Sequence, residues 1–447
     1  MCNGKLLPKI LRFALPLMLS GILQLLFNAA DMIVVGKFAG KESLAAVGST
    51  SSLINLLVNL FMGLSVGSNV LVARYYGSER KKEISDTVHT SITIALISGV
   101  ILGIIGIVFC KPLLILMGTP KDVLPLATLY MRIYFAGMPV ILLYNFSSAI
   151  LRAVGDTMRP LIFLSGAGVI NILLNLFFVI VFKMDVAGVA LATVISQAAS
   201  ATCVMLCLIR DDAPYRLSLK KLGITKKILV QIIRIGLPAG LQGCLFSISN
   251  VMIQSGINSF GTDAIAGNTA ACNLEGFVYT AMNSFHQTTV SFTGQNTGAG
   301  KMDRVKKVLI ECLALVTLFG LGLSLIMLLF GRGLLTIYAD PEDVEVVVKY
   351  GLIRMAIICP TYFTCGTMDV LVGSLRGMGK SILPMIVSLC CVCVLRIILI
   401  LTVFRAAPSL QLLYWTYPIS WVAATTIHFF CFVTVFRRLS RQIADIA

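Results

Sequence analysis

The sequence predicts an all-α polytopic membrane protein of twelve transmembrane helices, built as two six-helix bundles related by a pseudo-two-fold axis along the membrane normal. Three observations carry this. The composition suits a chain solvated by lipid: 57% hydrophobic residues, 13% charged residues and a mean hydropathy of +0.93, where a soluble domain needs far more polar surface. Apolar runs long enough to cross a hydrocarbon layer, about 20 residues each, occur twelve times. The chain also repeats its landmarks at a spacing of 221 to 224 residues, and internal repetition at such a period reports architecture.

The runs lie roughly at 11–36, 43–73, 87–110, 124–150, 160–182, 187–209, 228–258, 264–294, 308–330, 344–374, 381–404 and 411–436. They are continuous and lack period-2 alternation, which argues against a transmembrane β-barrel. Several exceed 25 residues, which implies tilt, kinks or overhang into the interface. The opening "MCNGKLLPKILR" imitates the charged region of a signal peptide. The apolar stretch behind it is too long and has no convincing small-residue cleavage site, so an uncleaved first helix is expected.

Charge supplies the orientation. The net charge is +16. With the N-terminus inside, cytoplasmic segments and adjoining span ends carry 25 of the 36 Lys and Arg residues, and outer ones carry 8. Arg132, Arg354 and Arg396 fall inside spans. This asymmetry over short loops places both termini in the cytoplasm. The basic excess therefore reads as topology in a lipid bilayer, and no nucleic-acid partner is expected. Most of the thirteen cysteines lie within spans, among them Cys203, Cys207, Cys244, Cys272 and the "CCVC" at 390–393. They read as small apolar filler in reduced form, because no spacing supports a metal or disulfide role.

The repeat aligns Gly40 with Gly261, Gly77 with Gly298, Pro120 with Pro341, Asp122 with Asp343 and Pro139 with Pro360, all at 221 residues. Pro16 matches Pro238 at 222, and "LRAVGDTMRP" (151–160) meets "LRGMGKSILP" (375–384) at 224. Each copy holds six spans, and an even count gives the copies the same orientation. The expected lobes are residues 1–210 and 227–447, joined by a cytoplasmic linker at 211–226. The linker belongs to the longest charged stretch, "RDDAPYRLSLKKLGITKK" (210–227). Two equivalent bundles suit rocking about a central cavity. No HExxH, GxSxG or phosphate-binding Gly loop is present. His89, His286 and His428 are scattered and read as hydrogen-bonded or interfacial groups. The chain is therefore not expected to be an enzyme, and no cofactor is expected.

Within the first span, Gln24, Asn28 and Asp31 recur at i, i+4 and i+7 and form one polar stripe. Asp31 lies about five residues, or roughly 7–8 Å, from the outer end. Asn171 and Asn175 share a face of the fifth span at comparable depth, Thr193, Gln197 and Ser200 share one of the sixth, and Asn55 and Asn59 one of the second. Polar faces converging from several helices describe a wet cavity. A neutral Asp31 does not attract an organic cation and an anionic one does, so an ion and a cationic solute would compete there. Equally, Asp31 with the oxygens of Asn171, Asn175 and Thr193 offers the hard ligands that Na⁺ prefers. In the second copy the stripe recurs as Ser247, Asn250 and Gln254 without an acid. Asn250 and Gln254 are thus expected to line the cavity for substrate, and ion coupling is expected in the first half.

Three charges in the second half remain. Glu275 is near the middle of the eighth span, Asp369 near the inner end of the tenth, and Arg396 within the eleventh. A charge deep in a bundle is rarely left unpaired, so Arg396 is expected to pair with Glu275 or Asp369. Glu275 reads equally as a structural lock or a cation-binding group, and Asp369 as a partner near the cytoplasmic end. GxxxG spacings at Gly63/Gly67, Gly99/Gly103 and Gly236/Gly240 allow close helix approach. Pro139 and Pro360 are candidate kinks.

Four stretches together resemble the multidrug and toxic compound extrusion (MATE) family over nearly the whole chain. They are "LPLMLSGILQLLFNAADMIVVGKFAGKESLAAVG", the pair "LRAVGD" and "LRGMGK", "GQNTGAGK" (294–301) and "NILLNLFFVIVFKMDVAGVALATVISQ" (171–197). The resemblance implies export of cationic or amphipathic small molecules driven by inward H⁺ or Na⁺, across a bacterial plasma membrane. It implies that Asp31 is the coupling acid of the first helix and that Thr193 matches the family's sixth-helix threonine. Where that family often has Asn and Asp four residues apart on helix 5, this chain has Asn171 and Asn175, so a two-carboxylate site is not expected. A monomer is expected. A flippase for a lipid-linked precursor and a non-transporting membrane scaffold are the alternatives. The flippase would need a more basic cavity and additional helices, and the six-plus-six duplication weighs against the scaffold.

Overall fold

The twelve apolar runs each become a helix, because a backbone in hydrocarbon must satisfy its own hydrogen bonds. The structure, a computed structural model, describes residues 1–338 and 342–445, apart from the side chain of Ser52. The landmark Pro341 lies outside the described residues. The first six helices are α1 (Leu6–Phe38), α2 (Gly40–Gly77), α3 (Lys81–Leu116), α4 (Leu124–Ala136 and Met138–Val154), α5 (Met158–Val181) and α6 (Asp185–Arg210). The second six are α7 (Lys226–Asn258), α8 (Thr262–Gly298), α9 (Met302–Thr336), α10 (Val344–Gly377), α11 (Ile382–Phe404) and α12 (Leu410–Ala444). Among the described residues, ten helices meet the length and hydropathy of a membrane span, eleven with the bent pair of α4. The remaining helix, α8, has the length at 37 residues. Its sequence is dense in Asn, Gln, Ser and Thr, and most of those side chains are buried in protein.

Local chemistry explains the interruptions. The two pieces of α4 bend by 48° at Gly137, next to Pro139, whose ring nitrogen cannot donate to the preceding turn. Pro360, its counterpart in the repeat, lies inside an unbroken α10. The duplicated "LRAVGD" and "LRGMGK" make the same helix end twice. Gly155 and Gly379 take φ of 108° and 79°, and the following amides reach back, Asp156 N to Leu151 O at 2.9 Å and Lys380 N to Leu375 O at 2.9 Å. A left-handed residue that satisfies the last carbonyls is what favours glycine there. The C-terminal end of α5 is a π-helix at Phe177–Val181, and that of α11 is another at Ile400–Phe404. A second π segment in α11, Leu389–Val394, has no counterpart in α5.

By packing, Leu19–Gly240 form one compact unit, and Met1–Met18 with Leu241–Ala447 form another. Helices α1 and α7 therefore each contribute to both. Within the first unit, α2 and α7 meet through the two GxxxG stretches. A Cβ on Gly63 would stand 2.2 Å from Gly240 N, and one on Gly67 2.5 Å from Ile232 O. A Cβ on Gly99 would likewise stand 2.4 Å from Pro139 Cα. The linker is held here too. The backbone amide of Ser218 donates to His89 Nε2 at 3.0 Å, and His89 Nδ1 donates to Ser85 O at 2.7 Å. Arg159 reaches Asp211 at 2.8 Å and also pairs with Asp156. Within the second unit α10 packs on α8, α9 and α12. There Lys301 and Arg304 hold the N-terminal residues, through Asn3 Oδ1 at 2.7 Å and Gly4 O at 3.0 Å. None of the thirteen cysteines is joined in a disulfide.

Candidate functional site

In the first unit the sequence-predicted acid meets the sequence-predicted amides. Asp31 is half-buried on α1, and Asn171 and Asn175 are buried one turn apart on α5. Asn175 Nδ2 donates to Asp31 Oδ1 and, at 3.2 Å, to Asn171 Oδ1. Asn175 Oδ1 is buried and has no partner. One turn away on each helix, a Cβ on Gly168 would lie 1.8 Å from the ring of Phe27. The missing side chain at Gly168 is what lets α1 and α5 come close enough for the short Asp31 to reach an amide. No salt bridge to Asp31 is present among the described residues. The acid is thus held by neutral donors alone.

The other residues proposed for this site are nearby in sequence logic but not bonded into it. The Thr193 hydroxyl donates to Val189 O of its own helix at 3.0 Å, the usual resting place for a threonine in a helix. Gln197 is half-buried and its Oε1 has no partner. Gln24, Asn28 and Asn55 are exposed and Asn59 is half-buried. Sequence reasoning passed over Tyr130 and Tyr134. Their rings stack at 6.2 Å, and Tyr130 lies within electrostatic reach of Asp31. Their spacing of four on the fourth span, directly after a short apolar stretch, was the available signal.

The second unit holds a different network. Glu275 on α8 and Arg354 on α10 are 3% and 5% exposed, and both carboxylate oxygens are engaged. Arg354 Nη2 donates to Oε2 at 2.7 Å, and Nε to Oε1 at 3.0 Å. Arg354 Nη1 donates to Asn268 Oδ1 at 3.0 Å, Asn268 Nδ2 to Gln254 Oε1 at 3.1 Å, and Gln254 Nε2 to Asn258 Oδ1 at 2.9 Å. Gln254 therefore joins this chain of bonds, while Asn250 stays exposed outside it.

The expected pairing of Arg396 with Glu275 or Asp369 is corrected by this geometry. Glu275 is taken by Arg354. Arg396 donates instead to two serine hydroxyls, Ser420 Oγ at 2.8 Å and Ser249 Oγ at 3.3 Å, and lies 4.4 Å from the centre of the Tyr417 ring. Asp369 makes no ion pair among the described residues either. Its backbone carbonyl accepts from His286 Nδ1 at 2.6 Å, and its Oδ2 is buried without a partner. Arg376, one of its neighbours, donates to Gln242 Oε1 at 2.8 Å. The depth of a buried charge is readable from a span, but the helix face that meets it depends on the order and rotation of helices in the bundle.

Known proteins agree with this architecture. The MatE family model matches the chain twice, at residues 16–177 and 238–402. The probable multidrug resistance protein YoeA of Bacillus subtilis (strain 168) is 29% identical over 384 residues, covering 84% of this chain and 82% of that protein. The FAD transporter of Shewanella oneidensis is 24% identical over 387 residues, covering 85% and 84%. The crystal structure of MATE in complex with MaL6 superposes with a TM-score of 0.92 at 22% identity over 98% of each chain. An outward-facing multidrug resistance MATE family transporter of the MOP superfamily gives 0.89 at 23% identity, over 97% and 96%. A twice-matched family model over most of the length, on a twelve-helix membrane fold, places this chain in the MATE family of transporters.

Proposed function

We propose that this transporter exports cationic or amphipathic small molecules across the plasma membrane in exchange for H⁺ or Na⁺, by alternating access, with Asp31 as the group where ion and substrate compete. The supporting observation is the isolation of Asp31. It is half-buried, bonded to an amide and free of any counter-cation among the described residues. A carboxylate so placed is costly as an anion and gains from any cation that reaches it. Asn175 suits both states. Its Nδ2 donates to the anion, and with the amide turned over its Oδ1 accepts from the neutral acid. The unpaired Oδ1 of Asn175 and the Oδ1 of Asn171 also supply the oxygen donors that a hard cation takes. Only a solute that binds one protonation state better than the other can shift the exchange, and a positive charge meets that condition. The names of the relatives as multidrug resistance and export proteins support the substrate class. Cytoplasmic termini follow from the charge asymmetry of the loops.

The test is efflux of ethidium from proteoliposomes under an imposed proton gradient and, separately, an imposed sodium gradient. Wild type is expected to respond to one of them, and Asp31→Asn to remain folded and fall to the level of protein-free liposomes. Gradient-driven efflux by Asp31→Asn at the wild-type rate would remove Asp31 from the mechanism.

A further inference from the structure

We infer that the second unit carries a binding site for an oxyanion, the carboxylate of an aromatic amphipathic substrate, with Arg396 as its anchor. Arg396 is 3% exposed, yet its only hydrogen-bond partners among the described residues are neutral. Both serines are already committed as donors: Ser420 Oγ donates to Tyr417 O at 2.7 Å and Ser249 Oγ to Val392 O at 2.9 Å. They present lone pairs to the guanidinium and fix its plane, through Nε and Nη1. The remaining terminal nitrogen, Nη2, has no hydrogen-bond partner among the described residues and is not fully sealed from its surroundings. The guanidinium thus keeps one edge for an acceptor that the described residues do not supply.

The neighbouring charges sharpen the point. The guanidinium groups of Arg354 and Arg396 both approach the Tyr417 ring, at 5.2 and 4.4 Å from its centre. Glu275 neutralises Arg354 and has no oxygen left over. Glu275, Arg354 and Arg396 therefore sum to one buried positive charge, and a buried charge is rarely left without a partner. A planar guanidinium with a free edge selects carboxylate or phosphate oxygens. The surrounding rings select an aromatic body: Tyr417 and Tyr362 both pack on Trp421, with centroids 5.6 and 5.4 Å away. The backbone is distinctive here too. The π segment Leu389–Val394, absent from the equivalent stretch of α5, ends just before Arg396 and contains the Val392 carbonyl that accepts from Ser249. Such single π turns concentrate at functional sites.

This site goes beyond the cation exchange assigned to Asp31, and equilibrium binding tests it apart from transport. The probes are rhodamine B, which carries a free carboxylate, and its ethyl ester, which does not. Binding to the purified full chain in detergent is read from the dye and from quenching of tryptophan, since Trp421 adjoins the site. Wild type is expected to bind rhodamine B roughly tenfold more tightly than the ester, as one charge-assisted pair provides. Arg396→Gln is expected to erase that preference and leave ester binding unchanged, which also shows that the variant is folded. Arg396→Lys, which keeps the charge, is expected to retain part of the preference. Equal affinity of wild type for the two dyes, or a preference that survives Arg396→Gln, would overturn the assignment. Loss of Asp31-dependent efflux would leave it standing.

Discussion

The two halves of this transporter are copies in architecture and opposites in how they treat buried charge. In the first, Asp31 is held by an amide and has no counter-cation. In the second, Glu275 is clasped by Arg354 with both oxygens engaged. The repeat shows that neither arrangement was duplicated. At the spacings of 222 for the first helix and 224 for the fifth, Asp31, Asn171 and Asn175 correspond to Ile253, Leu395 and Leu399. At 221, Glu275 and Arg354 correspond to Ile54 and Ile133. Shared fold positions thus carry an acid without a counter-cation among the described residues in one copy and hydrocarbon in the other. An acid bonded only to neutral groups can trade its proton or a cation, whereas an acid inside a bidentate pair holds helices together.

The sharpest way to break this comparison is to treat the two acids alike. Arg354→Ala leaves Glu275 buried and unpaired, and thermal unfolding in detergent is expected to show a loss of about 3–5 kcal/mol. Pairing it with Glu275→Gln is expected to recover much of that loss, which a double-mutant cycle measures. Asp31→Asn is expected to stay within about 1 kcal/mol of wild type in the same assay, because an amide still accepts from Asn175. A stability loss for Asp31→Asn as large as that for Arg354→Ala would erase the distinction. A smaller effect is expected at the helix contact beside Asp31. Gly168→Ala forces a Cβ into the Phe27 ring and should cost about 1–3 kcal/mol, with a parallel drop in efflux as α1 moves off α5. Combining it with Phe27→Leu should restore part of both. The smallest change is expected for Thr193→Val, with efflux within about twofold of wild type, since its hydroxyl is spent on its own helix carbonyl. A loss comparable to that of Asp31→Asn would show that Thr193 turns to the ion during the cycle.

What the sequence revealed depended on range. The spans were legible because a hydrocarbon solvent allows little else, although α8, read as one more apolar run, falls short of a span's hydropathy and buries many of its amides and hydroxyls. The contact between Asp31 and Asn175 was legible because both stripes follow from helical spacing and both lie towards the C-terminal ends of their spans. The bend at Pro139 was legible, while the unbroken α10 through Pro360 shows that a proline permits a kink without requiring one. The partners of Arg354 and Arg396 were not legible. Both arginines sit at a depth that suits Glu275, and the choice between them rests on which helix faces which. The extra π segment of α11 left no trace in composition, because one inserted residue per turn changes the face presented and not the hydropathy.

The most direct test of the central claim is equilibrium binding of tetraphenylphosphonium to purified protein across a range of pH and, at fixed pH, a range of Na⁺. If ion and substrate compete for Asp31, wild-type affinity falls as the coupling ion rises, because a neutralised carboxylate no longer attracts the cation, and in Asp31→Asn that dependence disappears. Wild-type binding indifferent to both ions, or an ion dependence that persists unchanged in Asp31→Asn, would contradict the account.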